Sequence, residues 1–445
     1  MKNLNLSKFI NGTITILIIC VSLSACRKLP VAAETNEYRD GVPNPPNTVG
    51  KPILGSVTPL KGLPGTVVTL AGINIDPVIA NNTVTVNGIA ATVNNVIVTS
   101  IPNGVPKVTV IFTVPANATS GKIVLKTTGA ELSWINDFKV IDATMSTYAD
   151  LGSNYIEHIA FDKDGIAYGD NIDKVLRISP AGQVTTFAGG GTNNPFKFIW
   201  GIAVDNFNEV YVPDATSRVI YKITTAGIPK IHVGSGKEGF TDGFGDAVEF
   251  GAPRGMVMDL SGNLFITDVH RVRKIASNGV VTTIAGSTEE GNVDGKGAAA
   301  RFGSLDGITA DSAGNVYVSD RRYLNIRKIA KNGTVTTLAG SGMPGLGDGA
   351  GSTATFSDPR GLAVDEQGNV FVADYSAATS TSAIRVVNKL GFVSTLVKGA
   401  AGAGVINGPA ATASVSVPNG LVTDAAGNLY IVNTGANIIS KIVFK

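Results

Sequence analysis

Six side chains of unlike chemistry share one place in a recurring phrase. Glu157, Trp200, Arg254, Asp306, Arg360 and Asn419 each stand directly before a Gly (in the first copy, before His158), and an Asp follows five residues later. Brought to one opening, two guanidiniums, two carboxylates, an amide and an indole could hold a polar ligand through charge-assisted hydrogen bonds. The same six could instead neutralise one another as Arg–carboxylate pairs. Three aromatics also break the repeat, Phe198, Phe240 and Phe244. They could stack on sugar rings or serve as loop packing.

Nucleophilic and metal chemistry find less support. A histidine-based centre needs His158, His232 and His270 to converge. Only His158 sits at a mouth position, whereas His232 reads as an outer strand and His270 as a turn. Asp242-Gly243, Asp294-Gly295 and Asp348-Gly349 each precede a Phe (Phe250, Phe302, Phe356) that lies eight residues after the Asp. Such carboxylates could suggest calcium, but Asp-Gly is turn chemistry and a recurring Phe reads as a plug between units. No catalytic residue, metal ligand or cofactor is therefore expected.

The elements that position these residues can be counted. The phrase Gly201-Ile202-Ala203-Val204-Asp205 with Val210-Tyr211-Val212-Pro213-Asp214 returns as Gly255 to Asp259 with Gly262-Asn263-Leu264-Phe265-Ile266-Thr267-Asp268. Further copies run from Gly307, Gly361 and Gly420, and the most divergent opens at His158 and is read as ending Tyr168-Gly169-Asp170. The leading Asp residues, 162, 205, 259, 311, 365 and 424, are 43, 54, 52, 54 and 59 apart. Four strand signals per unit at that period predict a six-bladed β-propeller over 145–445. The innermost strand of each blade would then begin at one mouth of the central channel. Recurring third-strand arginines (Arg177, Arg273, Arg327, Arg385) and second-strand Asp residues read as structural caps and pairs, because the scaffold repeats them. The last unit stops at Lys445 without a fourth strand, and Met145-Ser146-Thr147-Tyr148-Ala149 aligns with Val335-Thr336-Thr337-Leu338-Ala339. Residues 145–150 are thus predicted to supply the outer strand and remove an open edge.

The phrase, its Tyr-Val-x-Asp partner and the Val335-Thr336-Thr337-Leu338-Ala339-Gly340 type of fourth strand resemble the NHL-repeat β-propeller family over about 300 residues. Some six-bladed propellers similar to this ring are calcium-dependent lactonases with Glu, Asn and Asp ligands in the channel. The resemblance would offer Glu157, Asp306 and Asn419 as part of such a set, opposed by the two arginines.

Preceding the repeat, 51–142 alternates in short β-type runs separated by turn signals, the pattern of an all-β sandwich. Pro52-Ile53-Leu54-Gly55-Ser56-Val57-Thr58-Pro59, Gly65 to Gly72 and Val84-Thr85-Val86-Asn87-Gly88 resemble an IPT/TIG immunoglobulin-like domain. That family implies a spacer or interaction module. Trp134 is expected in its core. Residues 26–50, with Val42-Pro43-Asn44-Pro45-Pro46, read as a semi-rigid tether.

The first 25 residues read as a targeting signal. Leu23-Ser24-Ala25-Cys26, closing an apolar run, resembles a bacterial lipoprotein signal, which implies acylation of Cys26 and a membrane anchor. Arg27-Lys28-Leu29 follows where surface-exported Bacteroidetes lipoproteins carry acidic residues. Outer-membrane anchoring is expected, with the leaflet open.

Composition narrows the function classes. The chain has 445 residues, and 36 Lys+Arg against 34 Asp+Glu give a net charge of +2, which offers no field for nucleic acid. Its 44% hydrophobic content excludes disorder, and 53 Gly suit many tight turns. Resemblance to lipoproteins of polysaccharide-capturing Bacteroidetes implies a non-catalytic propeller that binds glycan or glycopeptide. A calcium-dependent hydrolase or a scaffold with an outer-membrane protein partner stands as the alternative.

Overall fold

The computed structural model describes residues 50–99, 105–115 and 118–445. Cys26, the signal segment and nearly all of the tether lie outside the described residues. Apart from short 3-10 turns, every described regular element is a β-strand.

Residues 159–444 form six antiparallel sheets, the blades, joined in the last by one earlier strand. Blade 3 is typical, with strands Pro253–Met258, Leu264–Asp268, Arg271–Ile275 and Val280–Gly286 in chain order. The turn between its first two strands is built by Asp259. That carboxylate accepts the backbone N–H of Ser261 (2.8 Å) and Asn263 (2.9 Å), and the Asn263 amide (2.8 Å). This is Asx-turn chemistry, and it explains why the leading Asp returns in every unit.

The repeat Gly has a packing cause. A Cβ on Gly255 would lie 2.1 Å from the Asp306 carbonyl oxygen, and one on Gly361 would lie 2.2 Å from that of Asn419. Each first strand thus crowds the start of the next. At the last junction, the Gly420 N–H donates to the Glu157 carbonyl at 2.8 Å, joining blade 6 to blade 1. This close approach brings six strand starts to one mouth.

Between blades lie the expected plugs: Phe250, Phe302 and Phe356 are fully buried. Beside each sits a fully buried arginine. Arg327 donates to Asp294 (2.8 Å) and to the carbonyls of Val293 (3.0 Å) and Arg301 (3.1 Å), with its guanidinium 5.1 Å from the Phe302 ring centre. Arg273 with Asp242 and Arg385 with Asp348 repeat this arrangement. The Asp-Gly connection and the third-strand arginine are one device. Arg177 is a correction: it pairs with Tyr168, as Lys274 does with Phe265, so it sits one residue off the arginine register and is exposed. Leu176 holds the equivalent place and no Asp-Gly connection serves blade 1.

Residues Ala143–Asp150 pair antiparallel with Ile438–Phe444, in a register that runs from Asp150 opposite Ile438 to Ala143 opposite Phe444. Met145 and Ala149 are buried. The N-terminal unit contributes eight strands between Ile53 and Val140, around a core that includes Val68, Leu70, Val110, Phe112, Leu125 and Phe138. Trp134 is partly buried against this core.

Candidate functional site

The mouth face carries the first-strand starts and the turns between second and third strands. Trp200 precedes the first strand of blade 2, and its indole Nε1 donates to Asp306 Oδ1 of blade 4 at 3.2 Å. The two side chains therefore meet across the opening. Asp306 Oδ2 accepts from Arg321 at 3.3 Å, while Arg321 also holds Asp358 with two bonds of 2.6 and 2.8 Å. Asp358 in turn accepts from Arg360 Nε at 2.9 Å. Half of the mouth is thus a neutralised Arg–carboxylate chain, the alternative that the six residue types left open.

The other half is built differently. Phe198 stacks on Trp200 with ring centres 5.3 Å apart and planes at 26°. The Arg254 guanidinium lies 5.6 Å from the Trp200 ring, and the His158 ring lies 6.1 Å from it on an edge. No carboxylate among the described residues is within ion-pair distance of Arg254.

His158 occupies the place of the repeat Gly, and its partner was hidden by a wrong register. Ile159 pairs with Gly169, as Met256 pairs with Ile266. Asp170 therefore matches Thr267, and Asn171 matches the second-strand Asp268. Asp268 accepts backbone N–H groups of Gly251 and Ala252, and Asp374 does the same for Ser357 and Asp358. Those residues are structural caps. Asp170 is not one of them. Its carboxylate takes His158 Nδ1 (2.8 Å), the His158 N–H (2.6 Å) and the Gly201 N–H (2.6 Å). The visible signal was the gap: eight residues separate Asp162 and Asp170, against nine in the other copies.

The electrostatics follow from burial and pairing. Burial opposes the charge on His158, but contact with the Asp170 carboxylate overrides it and pushes the imidazole up to about 9. Glu157 is raised by burial, against the hydrogen bond that Tyr155 donates to it. Three buried atoms at this place have no hydrogen-bond partner: Glu157 Oε2, His158 Nε2 and Asn419 Oδ1. Glu157 is 8% exposed and Asn419 2%. A buried polar atom without a partner costs about 1–3 kcal/mol, so this cluster is a place where a ligand or ordered water would be stabilised.

No protein-family model matches the chain. Residues of this chain are 28% identical over 215 positions to Protein SUPPRESSOR OF QUENCHING 1, chloroplastic, of Arabidopsis thaliana, 44% of this chain and 20% of that protein. Teneurin-4 of Homo sapiens is 25% identical over 329 positions, 61% of this chain and 11% of its own length. The chain thus spans a fifth or less of these curated relatives. Among solved structures, a Bacteroides thetaiotaomicron protein of unknown function superposes with a TM-score of 0.54 at 20% identity, over 92% of this chain and all of that one. An auxiliary nutrient binding protein from the same organism gives 0.53 at 15%, with the same coverage. The likeness is one of fold.

Not every expected residue reaches the mouth. Phe240 lies farther out, under the Arg271 guanidinium at 3.6 Å. Phe244 is a correction: it sits on the outer edge of blade 3, opposite Val280 at the start of the fourth strand, and so toward the other face. Only Phe198 of the three joins Trp200. His232 packs against Tyr211 in an outer strand, and His270 Nδ1 donates to the Gly303 carbonyl, 2.5 Å away. Tyr155, Asp170, Arg321 and Asp358 are mouth residues that the repeat comparison missed. A cavity of about 510 Å³ lies on the opposite face between blades 3 and 4, lined by the repeated turns at Asp259 and Asp311. It contains scaffold residues common to several units, whereas the six mouth positions differ between units.

The calcium alternative fits poorly. Glu157 Oε1 is engaged by Tyr155, and both oxygens of Asp306 are engaged by Trp200 and Arg321. A dication there would face the charges of Arg321, Arg360 and His158 and would have to break those bonds.

Proposed function

We propose that this propeller is a binding module whose mouth takes a polyhydroxylated ligand, a glycan or glycopeptide, without transforming it. One observation carries the reading: Glu157 Oε2, His158 Nε2 and Asn419 Oδ1 are buried without partners, next to the stacked pair Phe198–Trp200. Hydroxyl groups can both donate and accept, so they suit a mixed set of unpartnered donors and acceptors, and the apolar face of a sugar suits an indole. The fold shared with an auxiliary nutrient binding protein is consistent with that role.

In this reading the N-terminal unit is an IPT/TIG-type spacer and residues 143–150 close the ring as the outer strand of blade 6. Cys26 is the acylated residue that holds the protein at the outer membrane, and an outer-membrane protein is the natural partner for ligand hand-over. Titration calorimetry against a panel of oligosaccharides, with Trp200→Ala and Arg254→Ala beside the parent chain, tests the mouth. Loss of binding in Trp200→Ala supports it, and unchanged binding in both variants rejects it. Binding of a membrane protein with no sugar response would favour the scaffold alternative. Mass-spectrometric detection of an acylated Cys26 peptide tests the anchor.

A further inference from the structure

Of the two arginines in the mouth set, Arg254 and Arg360, only Arg360 has an ion-pair partner among the described residues. Arg360 is bound to Asp358, and Arg321 to Asp358 and Asp306. Arg254 has no such partner among the described residues and lies over the Trp200 ring. On the indole's edge stands His158, whose Nδ1 is held by Asp170 and whose Nε2 has no partner. Two nitrogen donors thus flank one stacking surface, and two acceptors, Glu157 Oε2 and Asn419 Oδ1, belong to the same mouth.

A neutral sugar would serve the acceptors and the indole but would leave the guanidinium with only neutral hydroxyl partners. A planar carboxylate matches the guanidinium fork with two parallel hydrogen bonds, a geometry that a hydroxyl cannot offer. We propose that the ligand is an acidic sugar, a uronic acid, whose ring packs against the stacked Phe198–Trp200 pair and whose carboxylate pairs with Arg254. The ring hydroxyls then meet Glu157, His158 and Asn419. This rests on the binding reading above and names its ligand class.

The experiment is titration calorimetry of the full chain with D-galacturonate and D-glucuronate, with D-galactose and D-glucose as neutral counterparts, and with acetate as a carboxylate without a ring. The expected result is a uronate that binds at least tenfold more tightly than its neutral counterpart. Arg254→Gln should abolish that preference, so that acidic and neutral sugars bind with comparable affinity, and Arg254→Lys should restore part of it. Circular dichroism melting confirms that both variants fold. Equal affinity for acidic and neutral sugars, or an undiminished preference in Arg254→Gln, overturns the proposal but leaves sugar binding intact. Acetate binding as tightly as uronate also overturns it, because the site would then be a general anion site. If no sugar of either kind binds, the binding reading fails as well.

Discussion

Trp200 of blade 2 and Asp306 of blade 4 meet across the mouth through a 3.2 Å hydrogen bond from the indole to the carboxylate. Asp306 is 1% exposed and also holds Arg321, so the bond fixes the stacking surface from a rigid base. Asp306→Ala should release the indole and leave Arg321 with Asp358 alone. The expected cost is about 2 kcal/mol, typical of a lost hydrogen bond to a charged group. In a Trp134→Phe background only Trp200 emits, and its fluorescence should shift to the red and become more open to acrylamide quenching. Emission unchanged from that of the parent would mean the bond does not hold the ring.

His158 offers a titration with a definite sign. Its folded value lies near 9, above the ordinary 6.5, because Asp170 outweighs burial. The stabilisation it supplies is fully present below about 6.5 and is lost as the pH rises through about 9. Nuclear magnetic resonance of the imidazole should show the raised midpoint. In Asp170→Asn burial acts without a carboxylate in contact, and the midpoint should fall by several units. Denaturant melts should show the parent losing stability between pH 7 and pH 10, with that slope reduced in the variant. An unchanged midpoint in Asp170→Asn would contradict the pairing.

The buried arginines give a stability prediction that is independent of the ligand. Arg327→Met removes a fully buried cation and leaves the carbonyls of Val293 and Arg301 without their donor. The expected loss is about 3–5 kcal/mol. Asp294→Asn should cost less, because Asp294 is half exposed and its amide replacement still accepts from Arg327. Guanidinium unfolding of the two variants checks the order. The reverse ranking would mean that the charge pair, and not the burial of the guanidinium among carbonyls, stabilises this blade.

What could be read in the sequence, and what could not, follows from what repetition makes visible. Phe250, Phe302 and Phe356 recur at one spacing and occupy one kind of place between blades, so counting found them. The mouth set was found by the opposite rule, because residues that differ between copies are not dictated by the scaffold. That rule fails where a copy mimics the pattern. Asp170 stands where a Tyr-x-Asp ending suggests a second-strand cap, but it follows Asp162 by one residue too few, and backbone pairing places it one residue short of that register. Phe244 failed for another reason. A two-residue strand pairs it with the outer edge of blade 3, a long-range contact with no local spacing signal. Arg321 and Asp358 escaped because they lie in turns, where the repeat is loosest and no period marks them.

The strand Ala143–Asp150 lies beside the last strand of the chain, with Met145 opposite Ile442. If it closes the ring, damage to it should be felt by blade 6 and not only by its own segment. Met145 is 1% exposed and packs near Leu429, Ile431 and Ile442, so Met145→Asp would bury an unpaired carboxylate. Such a change belongs to the small class of substitutions that cost more than about 4 kcal/mol. Ser146→Asp changes the exposed neighbour on the same strand and should cost almost nothing. Hydrogen exchange followed by mass spectrometry should then show amides of 438–444 losing protection in Met145→Asp but not in Ser146→Asp, because their acceptors across the sheet are no longer held. Protection of 438–444 that survives in Met145→Asp would mean that blade 6 stands without its earlier strand.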